Sequence, residues 1–114
     1  MSKRSARQKQ QAQARVFAAL GDPNRLMLIG KLTDGRPRSI IWLSSDFPLS
    51  RQAITKHLRV LEDAGIVRSH RAGRENLFSY RPEPVDDART YLDSVGEQWG
   101  DALARLETFV TGTN

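Results

Sequence analysis

At 114 residues without a cysteine, the chain has room for one domain with a modest core, and it can hold neither a disulfide framework nor a thiolate-ligated metal. Its polar start and its longest apolar run, Val16 to Leu20, exclude a signal-peptide core and a bilayer span of roughly 20 residues, so a cytoplasmic protein is expected. The net charge of +5 is unevenly spread, with five cations and no acid in residues 1–15, nine cations against five acids in 36–83, and two against six in 84–114. Such a basic middle faces a polyanion more readily than the acidic tail does.

Residues 1–11 lack periodicity and read as a basic flexible arm or a frayed helix start. Ala12 to Leu20 read as a helix closed by Gly21. Asp22-Pro23 then places an N-cap residue before a proline at the first helical position, and Leu26, Ile29 and Leu32 give the next helix one apolar face before Asp34-Gly35 stops it. The segment from Ser39 to Phe47 has room for about two turns of helix. After Pro48-Leu49, Ser50 stands where an N-cap belongs. Ile54, Leu58 and Leu61 follow at i, i+4 and i+7, so they point to the core, with Arg51, Gln52, Thr55, Lys56 and Arg59 largely on the other side and Ala64-Gly65 at the end.

Ile66 to Pro82 read as a hairpin, with Ala72-Gly73 in the turn, Phe78 and Tyr80 alternating on the return strand, and a protruding tip bearing Arg71 and Arg74. Pro84 opens the last helix, with Asp86-Asp87 in the first turn, where the helix dipole favours anions. Val85, Ala88, Leu92, Val95, Trp99, Ala102, Leu106 and Phe109 step by 3, 4, 3, 4, 3, 4 and 3, a heptad spacing. Gly96 and Gly100 lie inside it, each costing about 1 kcal/mol relative to Ala unless another helix approaches closely there. A helix over residues 84–110 spans roughly 40 Å, more than a domain this small can cover. A dimer interface is therefore expected, carried by Leu92, Val95, Gly96, Trp99, Gly100, Ala102, Leu103 and Leu106.

This order of elements describes a mainly α fold with a two-stranded β-wing. A winged helix-turn-helix core occupies residues 12–83, and a dimerising terminal helix occupies 84–110. The stretches ALGDPNRLMLIGKL, LSRQAITKHLRVLEDAGIV and RAGRENLFSY resemble, in register, the three signature segments of the ArsR/SmtB family of bacterial winged-helix regulators. The resemblance covers about Val16 to Val110. It implies a homodimeric DNA-binding repressor, often autoregulatory, that an effector releases. The likeness is strongest to the branch without metal-binding cysteines, often encoded near a small-molecule-binding or lipid-transport-like partner protein.

The expected DNA contacts are Ser50, Arg51, Gln52, Thr55, Lys56, His57 and Arg59 on the recognition helix, Arg71, Arg74 and Asn76 on the wing, and Arg38, with Arg36, before the short helix. Several have a plain structural alternative: Ser50 as a cap, the polar helix face as solvated surface, and His57 as packing at the helix edge. Trp42 and Trp99 are expected as core and interface anchors. Gln52 suits adenine, Arg51 or Lys56 suits guanine or phosphate, and Thr55 suits a base or a thymine methyl. The wing cations suit the backbone. Two histidines without a glycine-framed nucleophile give an enzyme no support. The family's metal sites use a cysteine pair before the turn, or Asp/His and His/Glu pairs on the last helix. Here the first region is IIWLSSD, and the last helix offers Asp86, Asp87, Asp93 and Glu97 without a histidine, so neither metal nor cofactor is expected. The alternatives to a repressor are a metal- or small-molecule-responsive sensor of the same fold, or a protein–protein module using the heptad helix.

Overall fold

The computed structural model describes residues 3–111, with side chains from Ser5 onward. Its elements run α1 Lys3–Leu20, α2 Pro23–Leu32, β1 Arg38–Ser39, α3 Ile40–Ser44, α4 Arg51–Asp63, β2 Val67–Ala72, β3 Glu75–Tyr80 and α5 Glu83–Thr111. Leu28 and Leu32 of α2, Leu43 of α3, Ile54, Leu58 and Leu61 of α4, and Ile66 just before β2 all have no exposed surface. Removing a side chain of this size from water contributes about 1.5–3 kcal/mol, so these residues fix how α2, α3 and α4 sit against the sheet. Val67 and Phe78 close the core from the sheet side, and Ala88 closes it from the first turns of α5.

Local chemistry sets the boundaries. Asp22 caps α2 by accepting from the backbone N–H groups of Asn24 at 2.9 Å and Arg25 at 3.1 Å, and Ser39 caps α3 through the N–H of Trp42. The end of α4 is a Schellman motif: Gly65 takes φ +80°, its N–H donates to Glu62 O, and the N–H of Ile66 donates to Leu61 O. Only glycine adopts that backbone without strain. In the hairpin Ala72 pairs with Glu75, which leaves Gly73-Arg74 as the two-residue turn. Gly73 has φ +65° and Arg74 has no positive φ, the pattern of a type II′ turn.

Several expectations change. Helix α1 begins at Lys3 rather than Ala12, so of the two expectations for residues 1–11, an arm or the start of a helix, residues 3–11 take the second; Met1 and Ser2 lie outside the described residues. Its inward contacts come late, at Val16 and Ala19, which is why the earlier turns carry no apolar periodicity. In α2 the inward residues are Leu28, Ile29 and Leu32, while Leu26 is 52% exposed. The sheet has three strands, ordered β1-β3-β2, because Arg38 and Ser39 pair antiparallel with Phe78 and Leu77. A two-residue strand is too short to leave an alternating pattern. Gly21 has no positive φ. Trp42 is not a core anchor: the residue is 41% exposed, and its ring supports Arg38 instead.

Helix α5, at 29 residues, is about 43 Å long and accounts for much of the 72 Å long axis of the molecule. Its beginning packs on α1, where the rings of Phe17 and Tyr91 lie 6.0 Å apart. Beyond that the expected stripe is open: Leu92 is 54% exposed, Trp99 65%, Leu103 59%, Leu106 58% and Phe109 74%. Val95 and Ala102 are half-buried. A Cβ added at Gly96 or Gly100 would meet nothing within 4 Å, so the close approach that would account for two interior glycines is not made among the described residues. Among the described residues no helix is long and apolar enough to cross a membrane.

Candidate nucleic-acid interface

The site is built on α4, which is held from several directions. Its first turn is capped by Ser50, whose hydroxyl accepts from the N–H of Ala53 at 3.2 Å. Its inner stripe, Ile54, Leu58 and Leu61, is wholly buried. At its far end the Glu62 carboxylate accepts from both the backbone N–H and the hydroxyl of Ser69, tying the recognition helix to the first strand of the wing.

A further clamp joins α1, α2 and α4 through Arg25. The guanidinium donates to the α1 carbonyls of Ala19 at 2.7 Å and Ala18 at 3.2 Å, and it lies 3.3 Å from His57 Nδ1. Asp22 completes the group, 4.0 Å from both Arg25 and His57. The backbone N–H of Arg25 is the chief reason that the Asp22 carboxyl stays below its ordinary pKa, with the N–H of Asn24 and the charge of Arg25 adding to it against partial desolvation. His57 thus has the partners of its structural alternative, packing at the helix edge. Three residues after Ile54 the helix has turned back toward its inner flank, and the ring is engaged with α2.

The outward face of α4 carries Arg51, Gln52, Lys56 and Arg59, all exposed. Gln52 and Lys56 are four apart, and Lys56 and Arg59 three apart, so they share one face. Thr55 is half-buried, and its hydroxyl donates to the backbone carbonyl of Arg51 at 2.7 Å, which removes its donor from any base. Three cations and an amide on a helix whose opposite side is locked in the core form a rigid surface for a polyanion, with phosphate-pairing and base-reading chemistry side by side.

On the wing, Arg71, Arg74 and Asn76 are exposed. Arg38 behaves differently from a free phosphate clamp. Its guanidinium carbon lies 3.8 Å from the centre of the Trp42 ring, its Nη2 is 3.2 Å from Asp34, and its Nε is buried without a hydrogen-bond partner. Stacking and pairing hold this cation in place. Arg36 is exposed, and its backbone N–H is the main reason that Asp34 also stays below the ordinary aspartate pKa.

Sequence reasoning misses two of these parts. The Glu62–Ser69 clasp leaves no spacing signal. The role of Arg25 is hidden inside the DPNRL run that caps α2. The exposure of Ile41 was readable, because a five-residue helix cannot bury all four of Ile40, Ile41, Trp42 and Leu43. Among the described residues no group of three His, Asp or Glu side chains is placed to hold a metal ion.

A family described as a helix-turn-helix domain matches residues 20–70, the span from the end of α1 into β2. The uncharacterized HTH-type transcriptional regulator YuzN of Bacillus subtilis is 37% identical over 76 residues, covering 61% of this chain and 83% of YuzN. Among solved structures, an ArsR-like transcriptional regulator from Rhodococcus is 33% identical with a TM-score of 0.76, covering 87% of this chain and 92% of that one. A homodimeric winged helix-turn-helix DNA-binding domain from Mycobacterium bovis, 22% identical, shares the fold with a TM-score of 0.66 over 90% of this chain and 93% of its own. The chain belongs to the ArsR/SmtB family of winged helix-turn-helix transcriptional regulators.

Proposed function

We propose that the protein is a cytoplasmic homodimeric repressor that binds an inverted-repeat operator and occludes the DNA it covers. The observation that carries this reading is the exposed face of Arg51, Gln52, Lys56 and Arg59 on a helix whose inner stripe has no exposed surface. The N-terminal half of α4 enters the major groove, Gln52 and Arg51 meet base edges, and Lys56 and Arg59 meet phosphates. Arg71, Arg74 and Asn76 of the wing contact the flanking backbone. Two copies joined along the open stripe of α5 present two recognition helices to a two-fold symmetric site.

The reading predicts a steep salt dependence, because each neutralised phosphate releases counterions. The test is a selection from random DNA, followed by fluorescence anisotropy of the chosen duplex across a salt series. Lys56→Ala should weaken binding and lower the slope of log affinity against log salt by about 1. Replacing Gln52 should change sequence preference more than overall affinity. A Lys56→Ala protein with the wild-type affinity and slope would remove α4 from the interface.

A further inference from the structure

Helix α3 begins Ile40-Ile41-Trp42-Leu43, and its single turn buries one side only. Leu43 has no exposed surface, Ile40 packs partly on the core, and Ile41 is 57% exposed. Trp42 supports the Arg38 guanidinium, which leaves Ile41 as the more open apolar side chain of the helix. Ile40 and Ile41 form one wall of a shallow concavity of about 480 Å³, and its other wall is Arg51, Gln52, Thr55, Lys56 and Arg59 of α4. The Thr55 hydroxyl proton is already donated to Arg51 O, so Thr55 adds a methyl group and lone pairs. The concavity thus places an apolar patch inside a rim of cations and an amide, on the face that the repressor reading turns toward the major groove.

Of the apolar groups that base pairs display in that groove, the C5-methyl of thymine is the largest, and it lies beside the thymine O4 and the adenine N6 and N7. An isoleucine next to Gln52 matches that combination: the amide pairs with adenine while the alkyl groups cover the methyl. We propose that Ile41, together with the Thr55 methyl, seats one thymine methyl in each half-site, so that α3 shares sequence reading with α4. This assignment rests on the repressor reading above. It goes beyond that reading in making a residue with no hydrogen-bonding side chain, outside the recognition helix, determine specificity.

Deoxyuridine differs from thymidine by that methyl alone. The full chain is titrated against the duplex selected from random DNA, with each thymine replaced singly by deoxyuridine, using wild-type protein, Ile41→Ala and Ile41→Val. The expected result is one thymine per half-site at which deoxyuridine weakens wild-type binding about fourfold, the size expected for burying one methyl group. Ile41→Ala should lose most of the discrimination between the thymine and uracil duplexes, the Thr55 methyl keeping the remainder, and Ile41→Val should keep most of it. Indifference of the wild type at every thymine overturns the assignment. So does undiminished discrimination by Ile41→Ala, which would give the methyl to another group. A wild type that binds no duplex at low salt overturns the repressor reading itself, and the assignment falls with it.

Discussion

Helices α4 and α5 carry apolar stripes of the same kind, yet the chain treats them in opposite ways. In α4, Ile54, Leu58 and Leu61 have no exposed surface; in α5, Leu92, Trp99, Leu106 and Phe109 are between 54% and 74% exposed. Spacing alone does not separate the two, because periodicity reports that a face is apolar and not what covers it. Length does separate them. A 13-residue helix fits between α2, α3 and the sheet, whereas one of 29 residues outruns every element of its own domain. A contiguous open row of large side chains is what a protein–protein contact looks like from one side. The comparison therefore divides the molecule into a half whose apolar stripe is closed by its own residues and a half whose stripe is left open among the described residues, the half that the proposed dimer would cover.

The largest effect belongs to the closed stripe. Leu58→Ala removes a side chain with no exposed surface and should cost about 3 kcal/mol through lost burial and the cavity left behind. The cost should not depend on protein concentration in urea unfolding. A cost below about 1 kcal/mol would mean that α4 is not locked as its packing indicates.

On the open stripe the same kind of truncation should behave differently. Leu106→Ala in an isolated chain should fall within about 0.5 kcal/mol, as exposed substitutions do. In a dimer its cost should grow with protein concentration, because association stabilises the folded form by mass action. Trp99→Asp sharpens the contrast: it should yield monomers by light scattering, keep the helical circular dichroism, and lose operator affinity. A Trp99→Asp protein that remains dimeric would give the α5 stripe another role.

What the sequence made legible follows the same division. The inner stripe of α4, the Ser50 and Asp22 caps and the glycine turn of the hairpin are local features, and each is written within a few adjacent residues. The basic face of α4 was legible because helical spacing fixes which side chains share a side. Contacts between segments distant in the chain were not legible. His57 sits on the flank of the α4 stripe in a helical projection, and only the approach of α2 reveals that its partners are Arg25 and Asp22. Arg38 looks like a free cation until Trp42 and Asp34 are placed beside it. Strand β1 exists because β3 offers it an edge, and Leu28 replaces Leu26 on the inner face of α2 because of how α2 meets its neighbours.

The smallest effect tests the polar clamp that secures α4 beside its buried stripe. Asp22 both caps α2 and faces Arg25 and His57. Because its carboxyl is held below the ordinary aspartate pKa, chiefly by the Arg25 backbone N–H, the folded state binds its proton more weakly than the unfolded state. The stabilisation from the charge is therefore complete above the unfolded value of 3.8 and disappears as pH falls through the lower folded value. Asp22→Asn keeps a good cap while deleting the charge, so the variant should be slightly less stable than wild type at pH 6, with the difference closing below about pH 4. Asp34 shifts in the same direction and remains in both proteins, so the variant should flatten the acid limb of stability without abolishing it. Urea unfolding between pH 3 and pH 6 measures this directly. A difference that stays constant across that range would mean that the Asp22 charge adds nothing to what an uncharged cap supplies, and would leave α4 held by its buried stripe and by Glu62.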